Sequence, residues 1–403
     1  MRFALLLFAV CAWCASPLDQ AILNQMGPSR IASRTPVSTE LDLVVAYAGP
    51  GNLGQVTDGA FWWHGKMRLG IFLQRRDGPG LVYKITVESL PFLDEGSIRV
   101  ERVTATEVLF LWMPEKGRAG FMLKFVYDIR AKALVKSFDY QPYSMKRVVQ
   151  TGGKSIVIGE DRDRPVAFEY TAEATPPFRL LRGAEALRLM VAESKPVRFG
   201  VSNQFLLSRV EGQPTVVVGP GKRYALPRST YEEFAAARAE QVKYGPSRDA
   251  ATMDEQIGPS HLVEGTLWFG KTFYDGEGHT GVGGFGYFDV GKKAYKMFSP
   301  AAVRNYSVSA ILVEAEAVWL GLVHRGEWRS GGGGLIRFDR ATERAERYEL
   351  REIVNGIARM GDRMLLATEL GVAVLEGSTP RRYIIDETTD GRLRVLELSF
   401  GQE

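Results

Sequence analysis

Hydrophobic and polar positions alternate along this chain in short blocks. The clearest block is Ala310 to Leu350 with the residues just before it, where short apolar runs are separated by polar or glycine-rich segments. A short apolar run bounded by turn residues is typical of a β-strand. The block therefore predicts four consecutive strands, at 308–313, 317–320, 335–338 and 344–350.

The same order of residues recurs in the preceding part of the chain. Trp268 matches Trp319, 51 residues later, and Phe288 matches Phe338, 50 residues later. Looser copies lie at 125–138 and 364–375. Repetition with a period of about 50 residues is typical of stacked supersecondary units.

These repeats predict an all-β protein. One four-stranded sheet cannot bury both of its faces alone, so copies of it stack around an axis and share apolar layers. We expect a β-propeller of seven four-stranded blades, with one short helical insertion at about 229–243. In the recurring Phe-Asp step, the aromatic ring packs between blades and the aspartate bonds the backbone amides of the next turn.

The order W-x-G followed by G-G-x-x-x-F-D resembles the repeat of the two-component-regulator propeller family. This resemblance covers residues 257–375. It implies a propeller fold of the kind found in sensor ectodomains.

The chain is expected to contain three parts. Residues 1–14 are typical of a signal peptide, with Arg2 followed by the apolar run Phe3 to Val10. Residues 15–40 form an N-terminal lead-in, and 41–403 form a single propeller domain. A last strand at 393–398 is expected to pair with the first blade and close the ring, because an open ring leaves a bare strand edge.

Composition narrows the range of functions. The formal net charge is only +4, and the basic residues form no long run, so nucleic-acid binding is not expected. Both cysteines lie within 1–14, so the mature chain is expected to lack disulfides. Beyond that segment no apolar stretch is long enough to span a membrane. We expect a secreted or periplasmic protein that does not span the membrane.

Two long connections between predicted second and third strands carry the candidate chemistry. Residues 271–284 and 322–334 are rich in glycine and polar groups, whereas the matching connection at 368–370 is short. Loops of this kind on a rigid scaffold often acquire binding roles. The candidate ligand-binding residues are Asp275, Glu277, His279, His324, Arg325, Glu327 and Trp328, with His261 from an inner strand.

These residues leave several functions open. Imidazoles and carboxylates can hold a divalent metal or act as acid and base, but their spacing matches no metal motif, so no cofactor is firmly implied. The leading hypothesis is a non-enzymatic exported propeller that binds a small molecule, a glycan or a protein through one face. The alternative is a metal-assisted lyase or lactone hydrolase with its site at the channel mouth. A structural module of a larger envelope assembly is the third.

Overall fold

The computed structural model describes most of the chain from residue 29 onward. It covers residues 29–36, 41–48, 52–57, 60–64, 68–75, 81–86, 95–104, 107–113, 122–128, 133–140, 143–161, 164–181, 196–210, 213–232, 255–273, 281–325, 330–348, 350, 352–387 and 392–398. The predicted signal peptide lies outside these residues, and so does the predicted helical insertion beyond Glu232. The chain divides into two compact units. Unit 1 is Met1–Gln141 with Ser399–Glu403, and unit 2 is Pro142–Leu398.

Unit 1 contains ten described strands. They are β1 (Arg30–Pro36), β2 (Leu41–Ala48), β3 (Asn52–Thr57), β4 (Ala60–His64), β5 (Arg68–Arg75), β6 (Leu81–Thr86), β7 (Glu95–Thr104), β8 (Glu107–Met113), β9 (Met122–Asp128) and β10 (Ala133–Tyr140). Sheet A has the order β1-β2-β5-β6, and sheet B has the order β10-β9-β8-β7-β4-β3. The β3–β4 hairpin lies between β2 and β5 in sequence, but β4 pairs with β7 of sheet B.

The buried face of sheet A follows the two-residue period of a strand. Val44, Ala46 and Ala48 alternate along β2 and are buried with Phe72 of β5. β1 lies within the predicted lead-in and pairs antiparallel with β2.

Unit 2 contains 21 described strands. They are β11 (Ser144–Thr151), β12 (Lys154–Asp161), β13 (Arg164–Tyr170), β14 (Phe178–Leu181), β15 (Arg198–Phe199), β16 (Phe205–Ser208), β17 (Val216–Gly219), β18 (Lys222–Tyr224), β19 (Glu255–Val263), β20 (Thr266–Phe273), β21 (Phe285–Asp289), β22 (Ala294–Phe298), β23 (Ser307–Val313), β24 (Ala317–Arg325), β25 (Ser330–Asp339), β26 (Ala345–Tyr348), β27 (Val354–Met360), β28 (Arg363–Thr368), β29 (Gly371–Glu376), β30 (Thr379–Glu387) and β31 (Leu393–Leu398). Two short 3-10 turns, Val201–Asn203 and Ala301–Val303, interrupt them.

These strands form five antiparallel meanders in chain order. Sheets C, D, E and F each contain four strands, β11–β14, β15–β18, β19–β22 and β23–β26, and sheet G contains five, β27–β31. With sheets A and B, the described residues form seven sheets. The expected number of blades and the single domain over 41–403 stay predictions.

Apolar clusters join neighbouring sheets of unit 2 face to face. Sheet D packs on E, E on F and F on G. Sheet C, the first of the unit, packs on sheet G, the last. The backbone N–H of Tyr143 in front of β11 donates to the Ile385 carbonyl at 3.0 Å, and Asn355 Nδ2 donates to the Met145 carbonyl at 2.8 Å. Consecutive meanders whose first member packs on the last are the arrangement of a β-propeller, so the predicted fold class is confirmed.

The recurring W-x-G motif has a steric reason. A Cβ atom on Gly270 would lie 2.3 Å from a methyl carbon of Val308 on the next sheet, and one on Gly321 would lie 2.7 Å from the Val354 carbonyl oxygen. Glycine at these positions lets each second strand approach the inner strand of the following sheet.

The predicted role of the Phe-Asp step is confirmed in both repeats. Phe288 belongs to the apolar cluster between sheets D and E, and Phe338 to the cluster between E and F. Asp289 accepts a hydrogen bond from the Lys292 backbone N–H at 2.9 Å, and Asp339 accepts one from the Thr342 backbone N–H at 2.8 Å.

Two predictions about connectivity are wrong. The expected loop at 322–334 is largely strand, because β24 continues to Arg325 and His324 pairs with Gly331 of β25. Its glycines are needed in the strand itself: a Cβ on Gly333 would lie 2.4 Å from the Tyr306 ring. The last strand, 393–398, pairs with β30 as the fifth strand of sheet G rather than with the first blade.

Candidate functional site

Only three of the eight predicted ligand-binding residues lie within the described part of the chain. Asp275, Glu277, His279, Glu327 and Trp328 lie outside the described residues. His324 is half-buried near the end of β24, Arg325 is the last residue of that strand, and His261 lies on β19. Among the described residues, no group of three or more histidine, cysteine, aspartate or glutamate side chains could hold a metal ion. The proximity of the predicted loop residues to one another stays a prediction.

His261 connects two sheets. Its Nδ1 accepts a hydrogen bond from the Val313 backbone N–H at 2.8 Å, so an inner-strand side chain of sheet E bonds the backbone of sheet F. Burial lowers the pKa of His261, since desolvation disfavours the charged imidazolium. The neutral ring is the form that can accept this hydrogen bond.

A buried polar network lies at the base of the 274–280 connection. Lys271 forms an ion pair with Glu255, and both side chains are almost completely buried. Lys271 Nζ also donates to the Pro227 carbonyl at 2.8 Å and to Ser229 Oγ at 2.9 Å. The Ser229 backbone N–H donates to the Glu255 carboxylate at 3.0 Å. The network thus attaches Pro227 and Ser229, at the start of the predicted helical insertion, to sheet E.

This network is better suited to anchoring than to catalysis. A serine beside a lysine can be a nucleophile and its base only if the lysine is neutral, and here a carboxylate pairs with Lys271. Ser229 Oγ is engaged as well, because it donates to the Val282 carbonyl at 2.6 Å. Tyr231 adds a second attachment by donating to the Gly281 carbonyl at 2.6 Å.

A groove between sheets E and F is the best candidate binding site of the described residues. It has a volume of about 840 Å³ and lies where the turns at 264–265, 315–316 and 339–342 meet. In an antiparallel meander these first-to-second and third-to-fourth connections lie at the end opposite to the second-to-third connections. The groove is therefore at the other end of the two sheets from the loops that the sequence favoured.

Aromatic side chains form one wall of this groove. The Trp268 ring centroid lies 4.6 Å from that of Tyr287 and 6.1 Å from that of Phe298, and the Trp268 and Phe298 planes are nearly parallel. Trp268 is 5% exposed, so little of its ring is open to the groove. Its packing against Tyr287 and Phe298 therefore does not exclude a second role at the groove.

Two cations lie over these rings. The Arg340 guanidinium is 5.1 Å from the Trp268 ring centroid, and Lys296 Nζ is 4.8 Å from that of Phe298. Arg340 Nη1 donates to the carbonyls of Glu314 at 3.0 Å and Ala315 at 2.8 Å, which holds the guanidinium in place.

The carboxylates near the groove differ in their hydrogen bonding and in their exposure. Asp339 is occupied by its own turn, and hydrogen bonds from Thr342 hold the pKa of its carboxyl below the usual value. Glu264 and Glu316 line the rim and are exposed. The rim is therefore acidic, whereas the guanidinium of Arg340 lies next to the aromatic wall.

A second groove, between sheets G and C, is less suited to binding a polar ligand. It has a volume of about 570 Å³ and is lined by the turns at 151–154 and 170–173. The Glu169 carboxylate, which lines this groove, is already paired, because it contacts Lys154 at 2.9 Å and also Arg179. Hydrogen bonds from Arg179 and Lys154 lower the pKa of Glu169 accordingly.

Sequence reasoning missed the groove between sheets E and F. Trp268 and Trp319 recur at the repeat period, and this regularity indicates packing for both. The available signal was the difference between the repeats: Glu314 precedes the turn in one of them, and Val263 occupies the matching position in the other.

Comparisons with known proteins show distant likeness only. No protein-family model matches the chain, and no curated protein matches it. The extracellular domain of BT4673 from B. thetaiotaomicron is similar with 12% identity and a TM-score of 0.28, over 86% of this chain and 44% of that one. YCF48 from Cyanidioschyzon merolae is similar with 12% identity and a TM-score of 0.27, over 85% and 97%. The Dos1 propeller has 8% identity and a TM-score of 0.22, over 85% and 88%. The chain spans less than half of the BT4673 structure.

Proposed function

We propose that this propeller is an exported, non-enzymatic binding protein whose ligand or partner occupies the groove between sheets E and F. One observation supports the proposal most: the groove combines a volume of about 840 Å³ with an aromatic wall and a fixed guanidinium. Aromatic walls with a few placed polar groups are typical of ligand sites.

One further feature supports the proposal. Export is suggested by the pattern of residues 1–14. In the described part of the chain, no helix is long and apolar enough to cross a membrane.

A fragment screen by NMR tests this function. The chain is labelled so that its indole N–H groups give separate signals, and the Trp268 signal is identified by its loss in Trp268→Phe. We expect a subset of fragments to shift the Trp268 signal. A groove-blocking variant, Thr342→Trp, should abolish these shifts because the larger ring fills the groove from the exposed 339–342 turn.

The matched control is Gly291→Trp, which places the same ring on an exposed turn outside the groove lining. It should leave the fragment shifts intact. If no fragment shifts Trp268, or if Thr342→Trp retains the shifts, the groove is not the binding site.

A further inference from the structure

In the neighbouring pair of sheets, F and G, a guanidinium also lies over the matching tryptophan, although it comes from the inner strand β27 and not from a turn, and there a carboxylate is present. There the Glu314 carboxylate accepts a hydrogen bond from Trp319 Nε1 at 2.8 Å. The same carboxylate binds Arg359 in a bidentate pair, with distances of 2.7 and 2.9 Å. The Arg359 guanidinium also lies 5.4 Å from the Trp319 ring centroid. A carboxylate thus bridges an indole N–H and a guanidinium that covers the indole.

This cluster favours a negative charge. The hydrogen bond from Arg359, and then that from Trp319, hold the pKa of Glu314 below its usual value although burial acts in the opposite direction. An indole N–H beside a guanidinium is therefore a suitable pair of donors for a carboxylate.

Between sheets E and F the donors are present and the carboxylate is absent. Arg340 lies over Trp268 at 5.1 Å, but Val263 stands where Glu314 stands in the next repeat. Among the described residues, none accepts a hydrogen bond from Trp268 Nε1, and that nitrogen is not an enclosed atom. Arg340 uses Nη1 for two carbonyls, and its Nε and Nη2 donate to no described residue.

We propose that the groove binds the carboxylate of a glutamyl side chain from a peptide segment, which takes the place that Glu314 holds in the neighbouring repeat. The carboxylate accepts hydrogen bonds from Trp268 Nε1 and from the Nε and Nη2 groups of Arg340. This inference rests on the proposed binding function and names the chemistry of its ligand.

The burial of Trp268 in the aromatic wall of the groove favours a peptide over a sugar acid as the ligand. Trp268 is 5% exposed, so no ring face is open to stack a pyranose. The internal occupant, Glu314, is itself a glutamyl side chain of a polypeptide, and it lies directly after the end of β23. The exposed carboxylates Glu264 and Glu316 repel an incoming anion, and we expect affinity in the range of about 1 mM for a single glutamyl side chain.

The test uses the full chain and the Trp268 indole signal. The probe is N-acetyl-glutamate N-methylamide, the uncharged control is the matching glutamine compound, and galacturonate represents a sugar acid. We expect the glutamyl probe to shift the Trp268 signal downfield, and the glutamine compound to shift it far less. The Trp319 signal should not move, because Glu314 already binds its N–H.

Arg340→Gln should weaken the glutamyl probe about tenfold or more, because it removes a charged donor. Arg344→Gln is the matched control, since it removes an exposed arginine that does not line the groove. Equal shifts from the glutamyl and glutamine probes, or an unchanged affinity in Arg340→Gln, would overturn the inference. Tighter binding of galacturonate would overturn the assignment to a peptide.

Failure of this inference can be separated from failure of the proposed function. If uncharged fragments fill the groove while the glutamyl probe does not, the binding function stands and the carboxylate assignment is wrong. If neither fragments nor probe shift Trp268, both are wrong.

Discussion

His261 is a half-buried imidazole that supports an inter-sheet contact only in its neutral form. Its Nδ1 accepts from the Val313 N–H, and burial lowers its pKa. The unfolded chain therefore binds a proton more readily than the folded chain. The stability that this residue contributes is present above the pKa of the unfolded chain, about 6.5, and is lost as the pH falls through the lower pKa of the folded state.

The variant His261→Phe tests this linkage. At pH 7.5 it should lower the free energy of unfolding by about 1 kcal/mol, because the Val313 N–H loses its acceptor. The difference from the wild type should shrink as the pH falls below about 6.5, because the unfolded wild type then binds a proton that the folded wild type does not. Denaturant unfolding at a series of pH values measures this, and parallel curves for the two proteins would contradict it.

At the scale of elements, the close approach of sheets E and F depends on one glycine. Gly270 of β20 lies against Val308 of β23, and a Cβ there would be 2.3 Å from a valine methyl carbon. The backbone of Gly270 is not left-handed, so the need for glycine comes from close approach between sheets and not from backbone strain.

Gly270→Ala should destabilise the protein by about 1–3 kcal/mol, because the added methyl overpacks the contact between sheets E and F. Val308→Ala opens space at the same contact, so the cost of Gly270→Ala should be smaller in that background. Gly291→Ala is the control, since the nearest atom to its Cβ is 3.4 Å away on an exposed turn. Thermal unfolding of the double-mutant cycle measures the coupling, and strictly additive effects would show that the close approach does not matter.

At the scale of the whole molecule, unit 2 is held together by contacts between its two sequence ends. Sheet C packs on sheet G through aromatic side chains, and the Phe178 and Tyr383 rings meet edge to face at 5.3 Å. Residues about 200 positions apart in sequence therefore stabilise one another.

Phe178→Ala should lower the free energy of unfolding by about 3–5 kcal/mol, because it leaves a cavity between the two sheets. Hydrogen exchange should rise together in 143–181 and 354–398, which are distant in sequence. Val201→Ala is the control, since this side chain is 77% exposed and should change stability by less than about 0.5 kcal/mol. A rise in exchange confined to 143–181 would contradict the shared core.

Local pattern was sufficient to predict the repeats. The apolar runs, the W-x-G motif and the Phe-Asp turns depend on contacts within one meander or with its neighbour, and such contacts repeat with the sequence. The strands around Trp268, Trp319 and Leu365 were predicted for this reason. The extent of β24 was missed, because glycine-rich sequence usually indicates a loop and here Gly333 accommodates the Tyr306 ring.

The all-β class and the order of strands in the meanders around Trp268, Trp319 and Leu365 were determined by the amino-acid pattern, because alternation and turn residues act over a few positions. Two features required contacts between different sheets instead: the packing of sheet C on sheet G, and the groove at Trp268. Trp268 and Trp319 are the same residue in the same repeat position. They differ because Glu314 satisfies one indole N–H, while a valine at the matching position leaves the other to the groove.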